Sequence, residues 1–185
     1  MRVTGSQRNI SALRNATALS PFLKDRSLFD RIVAGSVIAS LLLAPLPLQA
    51  QDAGPAVVTP LPSENGQGSP RLDMAANGTP IVKIATPNAS GASYNRYTDF
   101  NVDARGLILN NSSKIVLTQL GGYIDGNGNL RTTGPAGLII NEVVGTNPST
   151  LAGYIEIAGT PAQLVLANAN GITCKGCGFL NTPWA

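Results

Sequence analysis

Six short aliphatic runs punctuate the chain after its midpoint approaches: Ile81-Val82-Lys83-Ile84, Leu107-Ile108-Leu109, Ile115-Val116-Leu117, Leu138-Ile139-Ile140, Tyr154-Ile155-Glu156-Ile157 and Leu164-Val165-Leu166. Each is followed by turn-forming residues: Pro87-Asn88, Asn110-Asn111, Gly121-Gly122, Asn147-Pro148, Gly159-Thr160 and Asn168-Ala169-Asn170-Gly171. Runs of this length, rich in branched aliphatics and bounded by Gly, Pro and Asn, predict strands and turns rather than helices. Alternation is partial; in Tyr154–Ile157, Glu156 faces away from Ile155 and Ile157. Between residues 51 and 185 no stretch free of both Gly and Pro exceeds 14 residues, which argues against a helical bundle.

The corners narrow the all-β choice. Asparagine supplies 14 of the 135 residues after Ala50, often just beyond an aliphatic run. Asn tolerates the left-handed backbone region and hydrogen-bonds its own main chain. A parallel β-helix needs such corners coil after coil, around an interior of Ile, Val and Leu. The low content of charged residues (12%) and aromatics (5%) suits such a core, although a β-sandwich fits the same pattern.

The first fifty residues read differently. Arg2, Arg8, Arg14, Lys24, Arg26 and Arg31 precede the apolar stretch Ile32–Ala44, then Pro45, Pro47 and Leu48-Gln49-Ala50. A basic n-region, a 13-residue h-region and a small residue at the cut predict a signal peptide over 1–50, cleaved after Ala50. The apolar stretch is shorter than the roughly 17–25 residues of a membrane-spanning helix. Residues 51–77, with four Pro and three Gly, are expected as a disordered or extended arm, and residues 78–185 as the β-helix.

Charge and chemistry mostly exclude. Residues 1–31 carry six basic side chains against two acidic ones, and residues 32–185 seven against eight. Without the leader there is no basic patch for nucleic acid. The chain has no histidine, so a Ser-His-Asp triad and a His-ligated metal are ruled out. Cys174-Lys175-Gly176-Cys177 is the only cysteine pair and falls short of the four ligands of a zinc site. In a secreted chain Cys174 and Cys177 read as a small disulfide-closed turn or two packed thiols. No carboxylate pair stands out as catalytic, no metal site is expected, and no cofactor is called for.

A longer constellation carries a resemblance. Asn77-Gly78-Thr79-Pro80-Ile81-Val82 leads to Gly106-Leu107-Ile108-Leu109-Asn110-Asn111-Ser112. Further on come Gly153-Tyr154-Ile155-Glu156-Ile157 and Asn168-Ala169-Asn170-Gly171-Ile172, and then the CxxC. In this order, across roughly Asn77 to Thr182, the chain resembles the N-terminal two-partner-secretion domain of filamentous haemagglutinins, haemolysins and contact-dependent-inhibition exoproteins. The resemblance implies a single-stranded right-handed parallel β-helix, with antiparallel strands capping the first coil. It implies a non-enzymatic module of a Gram-negative exoprotein, carried through the inner membrane by the Sec machinery. A dedicated outer-membrane transporter then reads the module through its periplasmic domains and delivers it to the medium or the cell surface. The effector, an adhesin, haemolysin or toxin meeting a host or neighbouring cell, lies in further coils. The β-helix is therefore expected to be truncated after the CxxC, leaving Phe179, Leu180 and Trp184 at an open end.

Two turns carry the expected transporter recognition. The family's Asn-Pro-Asn-Leu motif falls on Asn127-Gly128-Asn129-Leu130, and its Asn-Pro-Asn-Gly-Ile motif on Asn168-Ala169-Asn170-Gly171-Ile172, each without its proline. Both turns serve equally as plain corner-formers. The rival reading is a polysaccharide-active β-helix enzyme, which needs clustered carboxylates that this chain scatters.

Overall fold

A computed structural model describes residues 56–64 and 68–185. The leader over 1–50 lies outside the described residues. The strands are β1 (Val58–Pro60), β2 (Arg71–Met74), β3 (Pro80–Lys83), β4 (Ala92–Phe100), β5 (Leu107–Asn111), β6 (Val116–Thr118), β7 (Gly122–Ile124), β8 (Leu138–Val143), β9 (Ser149–Leu151), β10 (Tyr154–Gly159), β11 (Gln163–Asn168), β12 (Ile172–Cys174) and β13 (Gly178–Leu180). A single 310 turn, Gly128–Leu130, sits between β7 and β8.

The chain winds as a right-handed parallel β-helix. One wall stacks β4, β8 and β11, a second stacks β3, β5, β10 and β13, and the third stacks β9 on β12, with Val102 bridged to Leu151. Successive coils sit in parallel register: Leu164 lies over Ile139, and Ile155 over Leu107. The last coil has an offset of 24–25 residues, as in Tyr154 to Gly178 and Leu138 to Gln163. The coil before it needs 46–48, as in Ala92 to Leu138 and Leu107 to Ile155. That coil contains an excursion: the β6–β7 hairpin and the 310 turn leave the spiral and return.

Inward side chains build one core. Val82, Leu107, Leu109, Ile139, Ile155, Ile157 and Leu164 stack through it, joined by Tyr97 and Phe100 packed edge to face at 4.9 Å. A second, smaller core lies on the outside of the β3–β5–β10 wall. There Ile81, Ile108 and Ala158 meet Ile124, Val116 and Leu120 of the hairpin and Ala75. Strands of that wall are thus apolar on both faces, which is why Leu107–Leu109 reads as an unbroken run. Coils come close at the corners: a Cβ on Gly153 would strike the Asp103 carbonyl, so only glycine fits there.

The expected start of the β-structure changes. Residues 51–77 were expected as a disordered or extended arm, yet β1 and β2 lie inside that range. Each pairs antiparallel with the coil stack, β1 on β4 and β2 on β3. The described β-structure therefore begins at Val58 rather than at residue 78, because the first coil's edges recruit these strands. Of the four tyrosines, only Tyr97 is buried; Tyr94, Tyr123 and Tyr154 are about half exposed or more. At the far end the Trp184 side chain is exposed, while its carbonyl accepts the Leu164 N–H (3.0 Å) and turns the last residues back on the stack.

Candidate functional site: two asparagine turns

The two turns share one hydrogen-bond design. In each, the first Asn accepts the backbone N–H two residues on: Asn129 N to Asn127 Oδ1 at 3.0 Å, and Asn170 N to Asn168 Oδ1 at 2.8 Å. This is an Asx turn, in which the side chain replaces a backbone carbonyl. In each, the amide groups of both asparagines donate to main chain laid down earlier in the sequence. Asn127 Nδ2 reaches the carbonyls of Ile84 (2.9 Å) and Asn110 (3.1 Å). Asn129 Nδ2 reaches those of Ser69 and Ile84, both at 2.9 Å. Asn168 Nδ2 bonds the Asn147 carbonyl and Ser149 Oγ, both at 3.0 Å, and Asn170 Nδ2 bonds the Gly145 carbonyl at 2.8 Å.

Their exposure differs. Asn127 and Leu130 are each 1% exposed, with Leu130 inside the core, Asn129 is partly covered, and Gly128 faces solvent. Asn168 is partly covered, while Ala169, Asn170, Gly171 and Ile172 are exposed. In the folded chain a partner has access to the second turn, and in the first to Gly128 and part of Asn129. Leu130 sits deep because the 310 turn, closed by Leu130 N on the Asn127 carbonyl (3.2 Å), swings it inward.

Cys174 and Cys177 form a disulfide across the corner between β12 and β13. Both lie by the last described strands, where Leu151, Leu164, Leu166, Ile172 and Phe179 line an apolar hollow with them.

Neighbouring groups, missed in the sequence, fasten the excursion that holds the first turn. Asn111 is fully buried; its Nδ2 donates to the carbonyls of Ala136 (2.9 Å) and Thr160 (2.8 Å), and its Oδ1 accepts the Ala136 N–H (2.7 Å). Glu156, 5% exposed on β10, accepts the backbone N–H groups of Gln119 and Leu120, both at 2.8 Å. Its neighbours in register are Ile108 and Leu180, so the pattern alone offered no sign that a carboxylate would be enclosed there. Asp103 anchors the start of the domain. Burial opposes its charge, but hydrogen bonds from the Arg105 side chain and from the N–H groups of Arg105 and Ala56 outweigh burial and hold its carboxyl below the ordinary value. Among the described residues no group of three or more acidic or cysteine side chains is placed to hold a metal ion.

Comparison with known proteins places this geometry. The family model described as the TPS secretion domain matches residues 56–184. The chain is 53% identical over 151 residues to the tRNA nuclease CdiA of Escherichia coli O6:K15:H31 (strain 536 / UPEC), covering 81% of this chain and 4% of that protein. It is 44% identical over 154 residues to the hemolysin of Serratia marcescens, covering 83% of this chain and 9% of that protein. The crystal structure of the filamentous hemagglutinin secretion domain superposes with a TM-score of 0.60 at 38% identity, over 68% of this chain and 39% of that one. The chain therefore spans less than a tenth of the length of these curated relatives.

Proposed function

Because the chain belongs to the TPS secretion domain family, a non-catalytic family of secreted and cell-surface exoproteins of Gram-negative bacteria, we propose that its task is to present an exoprotein to an outer-membrane transporter of the two-partner type. Membership in that family sets aside the polysaccharide-active enzyme. The leader over 1–50 takes the chain to the periplasm through the Sec machinery and is cut after Ala50, so the exported product begins at Gln51. Periplasmic domains of the transporter then read Asn127-Gly128-Asn129-Leu130 and Asn168-Ala169-Asn170-Gly171-Ile172. The relatives named as nuclease toxin and haemolysin suggest that the cargo is an effector acting on another cell, with an adhesin as the alternative.

The observation that carries this reading is the contrast between the two turns. Asn127 and Leu130 are enclosed once the coils close, so the first turn is legible only in a chain that has not yet folded. Reading must therefore precede folding, and an extended β-rich segment suits strand addition to a partner's sheet edge. Folding outside then opposes return, because the coil stack encloses Asn127 and Leu130 of the first turn, while the second turn stays exposed.

The test compares export of Asn127→Ala/Asn129→Ala and Asn168→Ala/Asn170→Ala chains with the parent, beside binding of the unfolded variants to the transporter's periplasmic domains. Reduced binding by the unfolded variants supports recognition. Export and binding equal to the parent would leave both turns as corners only.

A further inference from the structure

The chemistry of the pair Asn127-Gly128 goes beyond its role as a corner. In an Asn-Gly pair the glycine nitrogen, with no Cβ beside it, is free to approach the asparagine side chain. That nitrogen bonds to the asparagine Cγ, the side-chain nitrogen leaves as ammonia, and a five-membered imide results. Water then opens the imide to aspartate or isoaspartate. Water is the only co-reactant, and nothing is oxidised or reduced.

The fold stops this reaction at Asn127. The side chain is 1% exposed, its Oδ1 is engaged by the Asn129 N–H, and its Nδ2 is bound to the carbonyls of Ile84 and Asn110. These three bonds hold the side chain in one orientation, and the turn covers it from solvent. Among the described residues the other Asn-Gly pairs are also hydrogen-bonded, Asn77 to the Leu120 carbonyl and Asn170 to the Gly145 carbonyl, but Asn77 and Asn170 are exposed where Asn127 is enclosed.

We infer that Asn127-Gly128 is a fold-gated deamidation site, labile in the unfolded chain, shielded in the β-helix, and unable to reclose its corner once converted. The last point follows from the bonding. Conversion replaces the Nδ2 donor with a carboxylate oxygen, which only accepts. It would then face two carbonyl oxygens in an enclosed site, where an unpaired charge is strongly disfavoured. Isoaspartate adds a main-chain carbon as well, displacing Leu130 from the core. A chain held too long before folding is thereby marked as unable to fold, whatever the transporter reads.

The experiment holds the full chain at mildly alkaline pH, either folded or in guanidinium, for matched times, and maps the peptides by mass spectrometry. The expected result is conversion at Asn127 at least ~10-fold faster in the unfolded chain, with a much smaller ratio at Asn77 and Asn170. After dilution from guanidinium, the molecules recovered as folded should be depleted ~10-fold or more in converted Asn127, as expected for an enclosed polar group left unpaired. Gly128→Pro removes the attacking N–H and should abolish conversion at Asn127 while the chain still folds. Equal rates in the two states, equal conversion in folded and unfolded fractions, or unchanged conversion in Gly128→Pro would each overturn the inference.

Discussion

Gly128→Pro tests whether the first turn is limited by its glycine. Position 128 opens the 310 turn, where the N–H has no carbonyl to bond within the turn and proline is tolerated. Asn127 has φ −82° and ψ 115°, an extended conformation compatible with a following proline. Gly128 does not have positive φ, and a Cβ built on it meets nothing within 4 Å. The folded state therefore accepts the ring without strain, while the unfolded chain loses freedom. Such substitutions stabilise by about 0.4–1 kcal/mol. In a domain of this size that is a rise in melting temperature of about 1–4 °C. Thermal and denaturant unfolding of parent and variant, with unchanged m-value, measures the effect. A fall in stability would refute the argument, because it would mean that the turn relies on a conformation that proline cannot reach.

Three other outcomes follow from the hydrogen bonding. Asn141 is fully buried, its Oδ1 accepts the Tyr97 hydroxyl (3.2 Å) and its Nδ2 has no partner among the described residues, so Asn141→Leu should cost about 1–3 kcal/mol by orphaning that hydroxyl. Adding Tyr97→Phe should recover most of this loss, and a double-mutant cycle with no coupling would disprove the pairing. Glu156→Leu keeps the apolar register but should weaken the hairpin by about 2–3 kcal/mol, seen as faster hydrogen exchange across β6 and β7 with β4 and β8 unaffected. Asp103 has a folded pKa below its unfolded value near 3.9, so its contribution is present above about pH 4 and lost as pH falls through the folded pKa; Asp103→Asn should flatten the acid limb of a stability-against-pH curve.

Much of the coil stack was legible because its walls bury short aliphatic runs: β3, β5, β8, β10 and β11 fall on five of the six, and β6 on the other. The longest strand, β4, was not, because Ser93 and Asn95 point inward and are satisfied by main chain around Ala85 rather than by apolar neighbours. The capping strands β1 and β2 hide in Pro- and Gly-rich sequence because their pairing, not their composition, makes them strands. The excursion was invisible as an insertion, since its register depends on β10 arriving some thirty residues later. At the candidate site, Asn127, Asn129, Asn168 and Asn170 were recognisable as turn formers. Their burial was not, because it depends on carbonyls as distant as Ile84 and Ser69.

The direction of those bonds orders the assembly. The side-chain amides of Asn127, Asn129, Asn168, Asn170 and Asn181 all donate to carbonyls earlier in the chain, Asn181 to Ile157 (2.8 Å) and Gly159 (3.0 Å). Each new corner is thus fastened to main chain already in place, and the closure entropy of each added coil is that of a loop of roughly 25 residues, growing only with the logarithm of its length. The excursion breaks the rhythm. Glu156 must arrive on β10 before the amides of Gln119 and Leu120 have their acceptor, so the β6–β7 hairpin is locked only when the following coil is laid down. A chain emerging from its N-terminal side can therefore stack its first coil and bond Asn127 early, but the β6–β7 hairpin is not fixed until about Gly159 is free. The first asparagine turn thus closes on partners already laid down, whereas the hairpin that flanks it waits for the next coil.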